Sequence, residues 1–156
     1  MQLNNSDVSN MKIRTMSISD YADVYNLWLS CKGMGLNSLD DSRDGIEKFL
    51  KRNPDTCFVA EVDNRIVGSI LAGNDGRRGY IYHTAVSPQY QMHGIGSSLV
   101  DTAIDALKKL SINKIALVVF DKNANGNAFW EKQGFTERND LIYRNKTINH
   151  FKRIDT

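Results

Sequence analysis

Cysteine is scarce in this chain, and no pattern of metal ligands accompanies it. The two cysteines are Cys31, in an amphipathic stretch, and Cys57, at the start of an apolar run. The sequence has no CxxC pair, no cluster of histidine with cysteine and no secretory leader. We therefore expect two small core thiols, no structural metal and a reducing, cytoplasmic location.

Strong charge of one sign and long apolar runs are also lacking. The formal net charge is +2, and the basic residues are spread along the chain except for short clusters such as Lys51-Arg52 and Arg77-Arg78. Such clusters are interpreted as solvated turns, because a binding stripe for nucleic acid or a membrane surface needs a stronger field. The longest apolar run is far shorter than the roughly 20 residues of a membrane span. Neither nucleic acid nor a membrane is expected as a partner.

The length and composition favour one globular domain. The chain has 156 residues, of which 41% are hydrophobic and 24% charged, both ordinary values for a globular protein. Its first ten residues are polar and unpatterned. We expect residues 1–10 to form a loose tail, with Met11 as an alternative start, and residues 11–150 to form a single domain.

The first third of the chain predicts a strand and two helices. "MKIRTM" from Met11 alternates as an opening strand does. Apolar residues then recur at the spacing of one helix face, at Tyr21, Val24, Tyr25 and Trp28. A flexible stretch that carries Asp40 and Asp41 leads to a second short helix, which stops before Pro54.

The rest of the chain predicts most of a sheet. "CFVAEVDNRIVGSILAG" reads as a hairpin with its turn at Asp63-Asn64, and "YIYHTAV" as a third strand. A helix with apolar residues at Leu99, Ala103, Leu107 and Leu110 follows, then the apolar strand "KIALVVF", a short helix, and two last strands around Asn139-Asp140. The order predicts an α/β (mixed α+β) domain: a central mixed, mostly antiparallel sheet flanked by helices.

The glycines of "QYQMHGIGSSL" suggest a loop that binds a phosphate group. A dinucleotide fingerprint would need a third glycine where Leu99 stands, and seven residues separate Val86 from Gly94, too many for its tight turn. Asp121, at the end of the next strand, is the acid that such a fingerprint would use. A Walker loop would need Gly-Lys-Ser/Thr, which is absent. A plain connecting loop is the alternative without function.

Two separated motifs carry a resemblance to a known family. "V-S-P-x-Y-Q-x-x-G-I-G-x-x-L-V" is followed by "N-x-x-G-x-x-F-W-E-K-x-G-F", with one helix and one strand between them. Together they resemble the two cofactor motifs of the GNAT superfamily of N-acetyltransferases, and most closely its small bacterial members related to ribosomal-protein N-terminal acetyltransferases. The matches cover roughly residues 82–135. They include Gln91, Gly94 and Gly96 in the first motif, and Asn123, Phe129, Gly134 and Phe135 in the second.

The resemblance implies acetyl-CoA as cofactor. A helix N-terminus offers unpaired amides and about half a positive charge, which suits the pyrophosphate of coenzyme A. Gln91 and His93 are expected to add side-chain donors, and backbone groups of the third strand to follow the pantetheine arm. The full set of predicted cofactor contacts is Ala85, Val86, Gln91, Met92, His93, Gly94, Ile95, Gly96, Ser97, Asn123, Phe129 and Trp130.

The same resemblance implies direct attack by an amine. Some family members carry a glutamate on or before the third strand, and "RRGYIYHTAV" has none. His83 is the best substitute for a base, and a packed histidine without a proton role is the alternative. Trp130 stands where the family often has an acidic tyrosine, so Trp130 is expected to form a wall against the pantetheine. The proton for the thiolate is then left to water, to Tyr143, or to no protein group.

The acceptor site is predicted less closely. In this family the segment between the first two helices usually borders the acceptor. This implicates Trp28, Met34, Asp40 and Asp41. We interpret Tyr80 and Tyr82, which alternate with His83, as packing or acceptor-pocket residues. Acids beside an apolar wall would suit a small-molecule or peptide amine, whereas Arg77 and Arg78 would suit an acidic acceptor.

A catalytically silent protein that binds coenzyme A, as a sensor or as a partner protein, is the alternative function. Homodimers are common in the family, and the sequence leaves the oligomeric state open.

Overall fold

A five-stranded mixed sheet forms the centre of the protein. The computed structural model describes residues 8–154, and its strands lie in the order β1-β3-β4-β5-β6. The bounds are Lys12–Thr15 for β1, Phe58–Val62 for β3, Arg65–Asn74 for β4, Gly79–Val86 for β5 and Ile115–Ala116 for β6. The first four of these pair antiparallel and β6 pairs parallel with β5. The predicted fold class is confirmed.

The hairpin between β3 and β4 forms where the sequence predicts it. Asp63 and Asn64 both have positive φ values, of 50° and 61°. Two consecutive left-handed residues make the turn that matches the twist of a two-residue hairpin, and Asp and Asn tolerate that conformation.

Four helices cover the sheet. Their bounds are Tyr21–Ser30 for α1, Arg43–Arg52 for α2, Ile95–Lys109 for α3 and Ala124–Lys132 for α4. Ser42 caps α2 by accepting the Gly45 N–H at 3.1 Å, and Lys108 and Lys109 lie in the last turn of α3, where cations oppose the helix dipole. No helix within residues 8–154 has both the length and the apolar character that crossing a membrane requires.

The sheet separates two apolar clusters. On one face, Leu99, Ala103 and Leu107 of α3 are fully buried against Ile70 and Ile81 of the sheet. The opposite face carries α1 and α2, and its buried members include Val24, Trp28, Ile46, Leu50, Val59, Leu71 and Ala85. Because both faces are covered, β4 is buried at seven consecutive positions instead of alternating.

The C-terminal part of the predicted sheet is wrong. Of the predicted strand "KIALVVF", Ile115–Ala116 alone pairs, and neither of the two last strands is formed among the described residues. The prediction assumed that both faces of this segment are covered, but Val118 and Phe120 are exposed. Instead, β2 (Leu36–Asn37) and β7 (Arg153–Ile154) form a small second sheet, so that ordered pairing extends past the predicted domain end at residue 150.

The predicted N-terminal tail lies mainly outside the described residues, which begin at Val8. Val8 packs against the cluster beneath α3, and its carbonyl accepts the Met11 N–H at 3.1 Å. The described end of that segment is therefore held against the domain.

Candidate active site

The loop before α3 leaves backbone N–H groups without a helical hydrogen-bond acceptor. Met92 and Gly94 are both left-handed, with φ values of 66° and 80°. The first helical hydrogen bond of α3 runs from Ser98 N–H to Gly94 O at 3.0 Å. The amides of Ile95, Gly96 and Ser97 therefore precede any helical acceptor, which makes this helix start suited to an anion.

Side chains in the loop brace its backbone. Gln91 Nε2 donates to Val86 O at 3.0 Å, and His93 Nδ1 lies 2.7 Å from Gln91 O. Ser97 Oγ accepts a hydrogen bond from Nε2 of Gln133, the residue after α4, at 2.8 Å. Gln91 and His93 are predicted as donors to a ligand, and in this structure both contact the protein backbone.

One edge of β5 is open beside this loop. Among the described residues, β6 pairs with Gly79 and Tyr80 alone and leaves the rest of that edge without a neighbouring strand. Ser87 N–H donates to Val67 O of β4 at 2.7 Å, and hydrogen-bonded pairs alternate along an antiparallel ladder. The backbone groups of Ala85 therefore point to β4, and those of Val86 point to the open edge.

This alternation separates two predicted pantetheine contacts. Ala85 pairs with Ser69 of β4 and is buried, so the structure directs its backbone groups away from the open edge, and its predicted pantetheine contact stays a prediction. The Val86 carbonyl accepts from Gln91 and from Cys31 Sγ, at 3.0 and 3.4 Å. The Val86 N–H is directed to the same open edge.

A β-bulge in β5 turns two consecutive side chains to the same face. The register with β4 shifts between the pairs Ile70–Thr84 and Ala72–Ile81, so β5 has one extra residue there. Tyr82 packs edge-on against Phe49 of α2, with ring centroids 5.5 Å apart. His83 likewise faces the helices, which corrects the simple alternation predicted for the two residues. Bulges are frequent beside active sites, where they redirect a side chain.

His83 has two defined partners on this face. Its Nε2 lies 2.6 Å from Asp41 Oδ1, and its ring meets Trp28 edge-on with centroids 4.8 Å apart. Trp28 is fully buried and donates its indole N–H to Ser69 Oγ at 3.1 Å. Trp28 therefore packs against His83 from the core, and its predicted acceptor contact stays a prediction.

The two adjacent acids predicted at the acceptor site differ in their surroundings. The Asp41 side chain is 6% exposed and is occupied by His83 and by the Asn37 N–H at 2.7 Å. Both of its oxygens thus have partners within the protein, and the acceptor contact predicted for Asp41 stays a prediction. Asp40 is exposed and accepts from Asn37 Nδ2 at 2.9 Å. Met34 is half-buried and packs against the cluster beneath α1.

Tyrosines form the exposed surface next to His83. The rings of Tyr80 and Tyr82 lie 4.7 Å apart, and Tyr82 is 53% exposed. Burial, followed by the neighbouring Tyr143 and Tyr82, raises the pKa of Tyr80 to about 12. Burial also raises the pKa of Tyr82, and Tyr143 and Asp40 add to that effect. The structure thus brings the predicted Tyr82, Tyr143 and Asp40 together, with the tyrosine hydroxyls of Tyr80 and Tyr82 protonated at neutral pH.

The second motif forms the start and the inner face of α4. Asn123 caps the helix by accepting the Gly126 N–H at 2.9 Å, a structural role that its predicted cofactor contact did not anticipate. Phe129 lies against Gly96 of α3. Trp130 packs edge-on between Phe129 and Phe135, with centroid distances of 5.0 and 5.2 Å.

Neither cysteine thiol is suited to act as a catalytic nucleophile. Cys31 and Cys57 are both buried, as predicted. Burial raises the pKa of the Cys57 thiol to about 12, and it also raises the pKa of Cys31. The thiolate is the reactive form, so both cysteines are poorly reactive at neutral pH. In the part of the chain that the structure describes, no three His, Cys, Asp or Glu side chains are grouped as a metal site requires.

Comparison with known proteins identifies the class. The model of the acetyltransferase (GNAT) family matches residues 21–135. An acetyltransferase of Sodalis glossinidius is 32% identical over 138 residues, which are 88% of this chain and 96% of that protein. The chain belongs to the GNAT family and is an acetyl-CoA-dependent acetyltransferase.

Solved structures show the same fold at low sequence identity. PaiA N-acetyltransferase of Thermoplasma acidophilum, solved with coenzyme A, has a TM-score of 0.70 and 20% identity, covering 81% of this chain and 90% of that one. The ribosomal-protein-S18-alanine N-acetyltransferase of Escherichia coli has a TM-score of 0.66 and 21% identity, covering 82% and 79%.

Proposed function

We propose that this acetyltransferase transfers the acetyl group of acetyl-CoA to the nitrogen of an amine acceptor by direct attack. One observation carries the proposal: the unpaired amides at the start of α3 lie next to the open edge of β5 at Val86. An anion-binding helix start beside an unpaired strand edge suits a ligand with a phosphate end and an extended, amide-bearing arm.

The residues present fit acetyl-CoA. The amides of Ile95, Gly96 and Ser97 would hold its pyrophosphate, and Phe129 and Trp130 would offer apolar surface beside the loop. The Val86 N–H would donate to the acetyl carbonyl, where losing one donor typically costs about 10²–10³ in rate. When bound, acetyl-CoA supplies a thioester whose C–S bond breaks as the acceptor nitrogen forms a C–N bond.

On the acceptor side, His83 would take a proton from the amine. Tyr82 and Asp40 are exposed beside it, and an aromatic face with a carboxylate suits a cationic amine. These groups support an amine on a small molecule or on a peptide. Tyr143, 65% exposed and close enough to influence Tyr80 and Tyr82, would be the protein group available to protonate the thiolate. The cytoplasmic location and the homodimer remain predictions.

Calorimetric titration with acetyl-CoA, coenzyme A and NAD tests the cofactor half of the proposal. We expect saturable binding of the first two ligands and none of NAD, because the loop lacks the dinucleotide spacing. Absence of binding by both coenzyme A forms would remove the proposal. A panel of amines, assayed by thiol release and by mass spectrometry of the acceptor, tests the transfer half.

A sensor that binds coenzyme A without chemistry is a second candidate. It is favoured by Trp130, which fills the position of the family's acidic tyrosine and is packed between two aromatic rings. Saturable binding of acetyl-CoA with no product from any amine would support the sensor over the enzyme.

A further inference from the structure

Hydrogen bonds hold Asp41 at both carboxylate oxygens and at its backbone carbonyl. Its Oδ2 accepts the Asn37 N–H at 2.7 Å, and its Oδ1 lies 2.6 Å from His83 Nε2. The Tyr21 hydroxyl donates to the Asp41 backbone carbonyl at 2.7 Å. A buried carboxylate bonded at both oxygens, on a backbone that Tyr21 also contacts, is held in one position, 42 residues away in sequence from the histidine that it contacts.

His83 is fixed in turn. Its side chain is 14% exposed, its ring lies against Trp28, and the bulge in β5 directs it towards the helices. Since an ionised carboxylate can only accept hydrogen bonds, Nε2 must carry the proton that it shares with Asp41. No protein atom among residues 8–154 forms a hydrogen bond with Nδ1, so this nitrogen is open to a group from outside the protein.

We infer that Asp41 is a positioning residue for acetyl transfer: it holds His83 as the Nε2–H tautomer and leaves Nδ1 as the atom that takes a proton from the acceptor amine. The inference rests on the proposed function. It gives Asp41 a role through His83, distinct from the direct acceptor contact predicted for it.

The proton balance is complete with the groups at hand. Nδ1 takes one proton from the acceptor ammonium, and the nitrogen lone pair so released forms the C–N bond to the acetyl carbon. The C–S bond electrons leave with the thiolate, which gains the second N–H proton through water or Tyr143. The imidazolium formed at His83 keeps its Nε2–H contact with the Asp41 carboxylate. His83 then returns its proton to solvent.

The other groups near His83 do not compete for this role. From α1, Trp28 presents an uncharged edge, and Tyr21 is engaged with the Asp41 carbonyl. Tyr82 lies next to it in β5, and its raised pKa keeps it neutral. Asp40 is the neighbouring carboxylate, and it is exposed and bonded to Asn37. Asp41 is thus the charged side chain in hydrogen-bond contact with the ring.

Nuclear magnetic resonance of the ¹⁵N-labelled full chain tests the tautomer without any substrate. The chain has three histidines, and the His83→Gln variant assigns the His83 signals by their disappearance. We expect the wild-type ring to show the Nε2–H pattern. An Nδ1–H pattern would overturn the inference, and because this measurement needs no change at Asp41, it stands even if an Asp41 variant fails to fold.

The Asp41→Asn variant tests the consequence. We expect kcat to fall by about 10²–10³ with KM nearly unchanged, within the range that a positioned base contributes, and the single tautomer to be lost. Asp44→Asn is the matched control, because it removes an exposed carboxylate in the first turn of α2 and should leave both readouts unchanged. Unchanged kcat and tautomer in Asp41→Asn would refute the role. Failure of the proposed function looks different: the wild type would show the Nε2–H tautomer but acetylate no amine.

Discussion

The ring of Phe129 lies 3.2 Å from the point that a Cβ atom on Gly96 would occupy, and Val86 Cγ2 lies 3.7 Å from it. The second glycine of the loop is therefore needed for close packing of α3 against α4 as well as for access to the amides. Gly96 belongs to the first sequence motif and Phe129 to the second, so this contact joins the two motifs.

Gly96→Ala should accordingly affect stability and binding together. We expect the cost of overpacking, about 1–3 kcal/mol, to be offset in part by the higher helix propensity of alanine, about 1 kcal/mol, which leaves a small net loss of stability and weaker binding of acetyl-CoA. Urea unfolding and calorimetry measure the two effects. The double variant Gly96→Ala with Phe129→Leu should recover most of the stability, because leucine leaves room for the new methyl group. Equal losses in the single and double variants would contradict the contact.

For Gly94 we expect backbone strain and not crowding, because a Cβ atom there would meet nothing within 4 Å and its φ is +80°. Gly94→Ala should lower the free energy of unfolding by about 1–2 kcal/mol, because alanine is strained in the left-handed conformation. It should also weaken acetyl-CoA binding about tenfold or more, which corresponds to about 1.4 kcal/mol in binding free energy, because the loop amides shift.

Gly76 offers a matched control for that experiment. It has a φ of +86°, has equally open surroundings and lies in the turn between β4 and β5. Gly76→Ala should lose comparable stability while acetyl-CoA affinity stays at the wild-type value. Equal affinity losses in the two variants would mean that the loop amides are not the binding group.

Local patterns were sufficient to predict the elements whose geometry is local. Asp63 and Asn64 specify a hairpin turn by their own backbone preference, and the spacing of Leu99, Ala103 and Leu107 specifies the buried face of α3. The glycine loop belongs to the same group, because a left-handed Gly94 before an amphipathic run is a property of neighbouring residues.

Tertiary contacts were beyond such patterns. The extra residue in β5 depends on its register with β4, so alternation alone placed Tyr82 and His83 on opposite faces. The pairing of His83 with Asp41 joins distant segments, and an aspartate next to an exposed aspartate gives no signal of which one is buried. The buried tryptophan of α1 could have been recognised as core from its helical spacing.

Substitution of the two cysteines distinguishes direct attack by the acceptor amine from a route through an acetylated cysteine of the enzyme. Because burial raises the pKa of both thiols, native protein should react slowly with a thiol reagent at neutral pH, and unfolded protein rapidly. Cys31→Ser keeps a donor for the Val86 carbonyl and Cys57→Ala removes the second thiol, and each variant should retain turnover within a few-fold. Acetylated cysteine in the mass spectrum, or loss of turnover in a stably folded variant, would instead indicate a covalent route.

Asp20 should make stability depend on acidity. Its carboxylate binds Arg14 through two contacts of 2.8 Å and accepts the Ser17 N–H at 2.8 Å. The hydrogen bond from Arg14 is the main cause that lowers the pKa of Asp20 below its ordinary value of 3.8, with burial opposing it. A carboxyl group whose pKa is lower in the folded state stabilises the protein above its unfolded pKa and loses that effect as pH falls through the folded value.

Asp20→Asn should therefore lower the free energy of unfolding at pH 7 by about 1–2 kcal/mol, a figure reduced because Arg14 is partly exposed. The difference from wild type should persist down to about pH 4 and shrink below it, which urea unfolding at pH 7, 5 and 3 would measure. Asp140 is the control: it also pairs with an arginine through two contacts, but in an exposed turn. Asp140→Asn should change stability little at any of these pH values, because solvent screens the pair. A difference for Asp20→Asn that is equally large at pH 3 would show that its cost comes from packing and not from the charge on its carboxylate.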